Sequence, residues 1–564
     1  MTPGRTAAAR GRTPGGARGR VVMLVANGVA GDSRVQKIAW SMAESGWEVT
    51  LLGRAPAGSS AREEYALGRA RVLLLPVGTE LSGYQKARLN SSAAARRRAQ
   101  YRSARAVVAE WDAQDGGAAR RRSLVPGLTT AAAGAARAET RAWLLDHPDV
   151  DSRIGRISSG KVGGTLVLAG GAVRGALDGH GGWRSFNPWF RDLELAFAPI
   201  IAELEPDLIH AHDFHMVGIG ARAAARLSTP ARPVRWVYDA HEYLAGIDVP
   251  GRKDVRGRLR RRMLMGVERE YIGRADAVVT VSQGIAERLA EDHRLRRRPL
   301  VVLNAPMGAA ADAVVNSAGT VTGIRPRAGA PGSAGAGGGV RAVLGLPRST
   351  PLMLYSGGMA PRRGVASAVR ALGELPGVHL VLVAREDDPD VPALRELATR
   401  TGVAARLHTV PYVSPERVVF HIASADVGLI PILHRPNHEL SLITKYFEYL
   451  HARLPIVCSD VREMARTTRE LGVGEVYPAG DGSALAAAVR KVLAAPGRYR
   501  AAYRSGGAGA AMVEELTWER QAAALDALYA ELLSTGDASA VAAREAGSGG
   551  TSSEPPDLTL RPVG

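Results

Sequence analysis

A chain of 564 residues is too long for one ordinary core and implies two or three domains, while 46% hydrophobic and 23% charged residues exclude a fibrous or disordered class. The 73 Lys and Arg exceed the 55 Asp and Glu, a net charge of +18 that favours anionic partners, yet only 5% of residues are aromatic and none interleave the basic runs as base stacking requires, which argues against nucleic acid. The single cysteine, Cys458, excludes an intramolecular disulfide and a cysteine-built zinc site, and no run approaches the ~20 apolar residues of a spanning helix.

Residues 1–20 read as a disordered basic tail. Its arginines precede the apolar run Val21–Ala26 in a way that superficially resembles a secretory signal, but the run is short, lacks a cleavage site and leads into a helix start. It reads instead as a first buried strand. Asp32 and Ser33 can cap a helix carrying Val35, Ile38, Ala39, Met42 and Ala43 at helical spacing; Gly46 closes it, and Trp47–Gly53 is a second strand. That strand–helix–strand opening is of the doubly wound type. Residues 85–145, rich in Ala and Arg, are predicted helical, and Gly160–Gly182 irregular; both read as insertions. Strands resume at Asp207–His212, Val234–Tyr238, Ala277–Ser282 and Leu300–Asn304, completing a first domain over 21–307. Residues 308–340, rich in Ala, Gly, Ser and Pro, are expected to be a flexible linker. A second parallel sheet follows in a domain over 341–533, with strands at Leu352–Ser356, Leu380–Ala384, Val427–Ile432 and Ile456–Ser459. A closing helix over Trp518–Leu533 ends that domain, and 534–564 read as a disordered tail. The predicted fold class is α/β, with two Rossmann-like, doubly wound parallel-sheet domains facing across a cleft.

Ligands of open α/β sheets bind at the carboxyl ends of the strands, so the site belongs in that cleft. The segment Ser441–Leu450 is predicted to open a helix there, and a helix N-terminus at a strand edge favours phosphate. Lys445 and Glu448 share one helix face, a cation for diphosphate beside a carboxylate for ribose hydroxyls; a plain surface pair is equally consistent with the spacing. The turn Ser356–Gly364 follows a strand and precedes a helix, so its amides at Gly357 and Gly358, with Arg363, can face phosphate oxygens, unless the arginines are merely solvated. Gly28, after the first strand, would let a ligand approach the backbone closely. Three other patterns read as coincidence or structure. Gly155–Lys161 has phosphate-loop spacing but Val162 where Ser or Thr is needed; Asp149–Asp151 lacks a strand edge; His210, His212, Asp213 and His215 read as a strand end lining the cleft rather than a metal cluster.

Taken in order, several segments resemble the GT-B family of retaining glycosyltransferases often called family 4. They are Asp32–Val35, Pro206–Asp213, Val237–Glu242, Ala275–Ser282, Arg362–Gly364, Lys445–Leu450 and Leu454–Val457, and the resemblance spans Val21 to about Leu533. It implies that Arg363 and Lys445 hold a donor diphosphate, that Glu448 holds the ribose, and that His241 faces the reacting sugar or the acceptor. Gly28, Gly357, Gly358, Ser441 and Leu442 would complete the donor site. The family's glutamate pair is eight residues apart, whereas here Leu440 stands eight before Glu448 and Glu439 is one step out of register. Backbone amides near Ser441 and Leu442 would then take the first glutamate's place. Gly358 and Met359 stand where the phosphate turn often carries arginine, and Arg453 where glycine is common.

The resemblance implies transfer of a sugar from a nucleotide diphosphate sugar to a hydroxyl acceptor, lipid-linked or glycan, in the hexosyltransferase manner (EC 2.4). No cofactor and no metal are expected, the departing diphosphate itself deprotonating the attacking hydroxyl. A nucleotide-sugar epimerase of the same architecture and a non-catalytic sugar-binding scaffold are the alternatives. The expected location is cytoplasmic, and the basic clusters Arg256–Arg262 and Arg294–Arg298 offer a peripheral contact with an anionic membrane on its inner face.

Overall fold

The computed structural model describes residues 18–87, 91–119, 188–247, 255–307, 311–315, 321–326, 339–385, 387–413 and 417–534. The tail up to residue 17, Asp149–Asp151, Gly155–Lys161, Gly160–Gly182, much of 308–340 and the tail beyond 534 lie outside the described residues.

The first sheet has eight strands in the order β3-β4-β2-β1-β5-β6-β7-β8. They are β1 (Arg20–Leu24), β2 (Glu48–Arg54), β3 (Glu63–Leu67), β4 (Ala70–Leu75), β5 (Leu208–His212), β6 (Arg235–Ala240), β7 (Ala277–Thr280) and β8 (Leu300–Val301). All pairings are parallel except β3 with β4. Side chains leave a strand alternately to its two faces, so Val21 and Met23 of β1 enter one core with Val35, Ile38 and Met42 of the first helix, Ser33–Glu44. Val22 and Leu24 enter the opposite core with Phe197, Ile209 and Tyr238. Asp32 caps the first helix, its carboxylate accepting from the Val35 amide at 3.3 Å. Within the predicted helical stretch 85–145, the described helices are Glu80–Ala87 and Ser91–Ala119.

The 308–340 segment, expected to be a flexible linker, carries an antiparallel ribbon of β9 (Ala311–Val315) and β10 (Val321–Pro326), where valine and isoleucine interrupt the Gly and Ala run. The second sheet is wholly parallel, in the order β13-β12-β11-β14-β15-β16. Its strands are β11 (Leu352–Ser356), β12 (His379–Ala384), β13 (Leu407–Pro411), β14 (Val427–Ile430), β15 (Ile456–Ser459) and β16 (Gly474–Tyr477). Strand order reverses between β1 and β5 in one sheet and between β11 and β14 in the other; a crevice opens at each such switch point.

The closing helix, Trp518–Ser534, departs from the sequence reading. It was expected to end the second domain, but Trp518, Leu525, Leu528, Tyr529 and Leu532 pack into the core of the first sheet, and the Trp518 indole donates to Ser41 Oγ at 2.8 Å. An apolar stripe specifies that a helix must be covered, not which sheet covers it.

Candidate active site

On the second domain, β11 delivers the chain into Ser356 and then Gly357. Gly357 has φ +130, and a Cβ there would overlap the Cε and Nζ of Lys445, so the lysine amine lies directly over the turn. The chain passes exposed Gly358 and one helical turn, Pro361–Arg363, and Gly364 then turns it at φ +69, where a Cβ would overlap the Pro431 carbonyl. The short helix Thr444–His451 presents Lys445 and Glu448 on one face. Burial pushes the Lys445 ammonium below its usual value; Glu448 opposes that and the Arg363 charge adds to it, which places the three groups in one another's fields. Glu448 is pushed up by burial and drawn back by Lys445 and by Lys37.

Lys37 belongs to the first domain, on the helix Ser33–Glu44. Its amine donates to the Ala305 carbonyl at 2.6 Å and lies 4.5 Å from the Trp518 ring centroid. Burial, then the neighbouring Arg34 charge, lowers it to about 7. The sequence reading missed Lys37, because one lysine between apolar positions of a helix carries no signal of its own. Tyr412 was missed too: it follows β13, 42% exposed, in the fields of Glu448 and Arg363, and burial followed by Asp388 raises it to about 12.

The loop before this helix differs from expectation. The helix opens at Thr444 rather than Ser441, after a short helix Pro436–Glu439, so Ser441 and Leu442 lie in the connecting loop. Ser441 Oγ donates to the Asn437 carbonyl at 3.1 Å, and Leu442 packs against the second domain's core. Leu440 packs on the first domain's core instead, while its carbonyl accepts from Ser282 Oγ at 2.8 Å. Glu439 is engaged by His434 Nδ1 at 2.6 Å and by the Arg462 amide at 2.9 Å. Arg453 has φ +54, which explains why glycine suits that position.

On the first domain, Gly28 has ordinary φ, and the left-handed residue of its turn is Val29 at φ +66, whose amide donates to Asn27 Oδ1 at 2.8 Å. His241 follows β6 with its side chain 18% exposed. Behind it lies Asp239, wholly buried, whose carboxylate accepts from Arg34 Nη2 at 2.8 Å and Nε at 2.9 Å. His212 Nδ1 is 3.2 Å and His210 Nε2 3.7 Å from the same carboxylate. Burial alone would raise Asp239, but Arg34 and then His241 outweigh it and hold the carboxyl well below its usual range. His212 falls to about 3, by burial and then His210, and burial lowers His210 too.

His210 and His212, read from the sequence as lining the cleft, gather with Asp239 in a buried cluster of ligand-type side chains, whereas Asp213 and His215 pair with each other at 3.3 Å. Both Asp239 oxygens accept from the Arg34 guanidinium, which brings a fixed positive charge to the cluster. Asp213 itself sits at φ +64 at the end of β5, facing the crevice with strained backbone.

The two halves meet at this site. Asn437 Oδ1 accepts from the Tyr243 amide at 3.1 Å, and Asn304 Nδ2 donates to Thr444 Oγ1 at 3.3 Å. A Cβ on Gly284 would come within 2.7 Å of the Leu440 carbonyl, so that approach needs glycine. Glu242, beside His241, is raised by burial and by Asp213, while His241, Arg363 and Arg362 oppose the rise. Arginines of one domain therefore face a carboxylate of the other. The arrangement offers cations for an anion, a carboxylate for hydroxyls, and a histidine opposite both.

Comparison with known proteins gives this geometry its family. The model for Glycosyltransferase Family 4 matches residues 171–305, and that for Glycosyl transferases group 1 matches residues 350–495, one in each domain. The chain is a family 4-like glycosyltransferase of the GT-B fold. Over 347 residues, 58% of its length, this glycosyltransferase is 26% identical to a D-inositol 3-phosphate glycosyltransferase of Geodermatophilus obscurus, covering 68% of that protein. Over 154 residues it is 26% identical to the lipopolysaccharide core biosynthesis glycosyltransferase LpsE of Rhizobium meliloti, covering 27% of the chain and 43% of LpsE. Among solved structures it resembles a sucrose-phosphate synthase from Thermosynechococcus elongatus (TM-score 0.57, 16% identity, 92% and 100% of the two chains). It also resembles an α,α-trehalose 6-phosphate synthase from Burkholderia multivorans (TM-score 0.51, 15% identity, 94% and 99%). At those identities the structural likeness is one of fold.

Proposed function

We propose that the glycosyltransferase takes a sugar from a nucleotide diphosphate donor and passes it, with retention of anomeric configuration, to a hydroxyl-bearing acceptor. The observation that carries this reading is the Lys445 amine laid across Gly357 with Arg363 and Glu448 in its field, at the edge where the domains meet. Lys445, Arg363 and the turn amides neutralise the diphosphate as it departs, while Glu448 takes the ribose. Fixed charges aimed at developing negative charge lower a barrier by several kcal/mol because they need no reorganisation. The diphosphate, once it begins to leave, deprotonates the attacking hydroxyl on the same face, and His241 faces the reacting sugar. No metal is required in this scheme.

A phosphate-bearing or lipid-linked acceptor suits the basic first domain, and relatives at 26% and 28% identity are D-inositol 3-phosphate glycosyltransferases. Part of the basic surface is spoken for: Arg297 pairs with Glu531 and Arg298 with Glu287. Arg262, Arg294 and Arg296 remain exposed for a peripheral membrane contact, and no helix of the described residues is long and apolar enough to cross a membrane. The test is steady-state kinetics on a panel of nucleotide sugars with and without acceptor. Acceptor-dependent release of nucleoside diphosphate, with Arg363→Ala lowering kcat more than it raises KM, supports the reading. Interconversion of the sugar without acceptor would replace it with an epimerase.

A further inference from the structure

The sequence reading left Asp239 without a role, yet it is the hub of the deepest polar cluster beside the site. Several of the elements around it contribute titratable or charged groups. Arg34 comes from the first helix, and its Nη1 also donates to the Val302 carbonyl at 2.5 Å. His210 and His212 come from β5, and Asp213 opens the following helix. His241 and Glu242 follow β6. Tyr529 of the closing helix hydrogen-bonds His210 Nδ1 from the far side.

His241 Nε2 points into this cluster, 3.5 Å from Asp239 Oδ2 and 3.3 Å from His212 Nδ1. Among the described residues, Nδ1 of His241 has no protein partner. One ring nitrogen is committed inward and the other is left for a ligand.

We infer that Asp239 is a positioning residue for the transfer reaction: held rigid by the Arg34 fork, it fixes the His241 ring with Nε2–H inward and makes Nδ1 the nitrogen offered to the substrate. The inference rests on the proposed place of His241 at the reacting sugar. A carboxylate behind an imidazole selects its tautomer and favours its protonated form, as a charge 3.5 Å away must. His212 cannot take that proton, since burial keeps it neutral. The balance of fields on His241 agrees: burial and Arg34 push it down, but Asp239 and Asp213 prevail and raise it. In the protonated state Nδ1–H donates to a substrate oxygen; in the neutral state Nδ1 accepts from a hydroxyl. Asp239 thus sets the pH at which His241 changes from donor to acceptor.

Histidine-labelled wild-type protein, followed by nitrogen NMR across pH, reads this directly, with His241 assigned by the resonance lost in His241→Gln. The expected result is a neutral form protonated on Nε2 and a titration midpoint above that of a solvated histidine, ~6.5. A neutral form protonated on Nδ1, or a midpoint at or below that of a solvated histidine, would overturn the inference. In Asp239→Asn the limb of the kcat–pH profile due to His241 should move down by about one unit or more, with donor KM unchanged within about twofold. An unmoved limb in folded Asp239→Asn would also overturn it. Should that variant fail to fold because Arg34 is left unpaired, the wild-type titration decides alone. Wild-type turnover by His241→Ala would instead refute the reading of the site, whatever the titration shows.

Discussion

Gly357→Ala probes the contact on which the donor site is built. Two consequences follow from the geometry, and they differ in kind. At φ +130 an alanine is strained, which costs about 1–3 kcal/mol of stability. The added methyl also overlaps the Cε and Nζ of Lys445. Those atoms end a flexible side chain, so the overlap is relieved by moving the amine and adds little to the stability loss. The same movement takes the ammonium off the turn where the leaving diphosphate is expected. Loss of one well-aimed donor typically lowers kcat by ~10²–10³, about 2.7–4 kcal/mol. Gly357→Ala is therefore expected to approach Lys445→Ala in kcat while remaining folded by circular dichroism. The double variant should be no worse than about threefold below Lys445→Ala, because the alanine has nothing left to displace. Kinetics at saturating donor on the four proteins complete the cycle. If Gly357→Ala keeps kcat within about threefold of wild type, or if the two losses multiply, the lysine does not act from its place over Gly357.

Glu448→Ala should weaken donor binding by about 1.5–3 kcal/mol in calorimetry with little change in melting temperature, since its carboxylate packs nothing essential; unchanged affinity would remove it from the site. Arg453→Gly should raise the unfolding free energy by about 0.5–1 kcal/mol and with it the urea midpoint, because φ +54 disfavours a side chain; a lower midpoint would show that arginine contacts outweigh the strain. Lys37 is lowered from 10.5 to about 7, so the unfolded chain binds its proton more readily between those values and stability contributed through it rises from pH 7 towards 10.5, at up to about 1.4 kcal/mol per unit. Lys37→Met should flatten that rise in urea titrations at pH 7 and 9, and an unchanged slope would show the amine to be solvated. Liposomes should pellet the protein when anionic and at low salt only, if Arg262, Arg294 and Arg296 meet a membrane; equal, negligible pelleting with neutral and anionic lipid would refute that contact.

What was legible in the sequence was local. Lys445 and Glu448 share a helix face at a spacing anyone can count, and Arg363 stands in a strand-to-helix turn whose glycines mark it. Runs such as Val21–Leu24 and Leu352–Ser356 announce buried parallel strands because both faces must be apolar. What was missed depends on partners far apart in the chain. Arg34 meets Asp239 across 205 positions, and Trp518 meets Ser41 across 477; no periodicity encodes either pairing. The closing helix showed its stripe but not the sheet it would cover. The start of the 444–451 helix was misjudged because Pro436–Glu439 forms a separate turn of helix, leaving Ser441 and Leu442 as loop.

The most direct measurement of the central claim follows the anomeric proton by NMR while the enzyme turns over an α-linked nucleotide diphosphate sugar with acceptor. The account predicts release of nucleoside diphosphate in step with an α-linked product, both depressed about 100-fold or more in Lys445→Ala. A β-linked product would contradict retention, and turnover indifferent to Lys445 would contradict the assigned donor site.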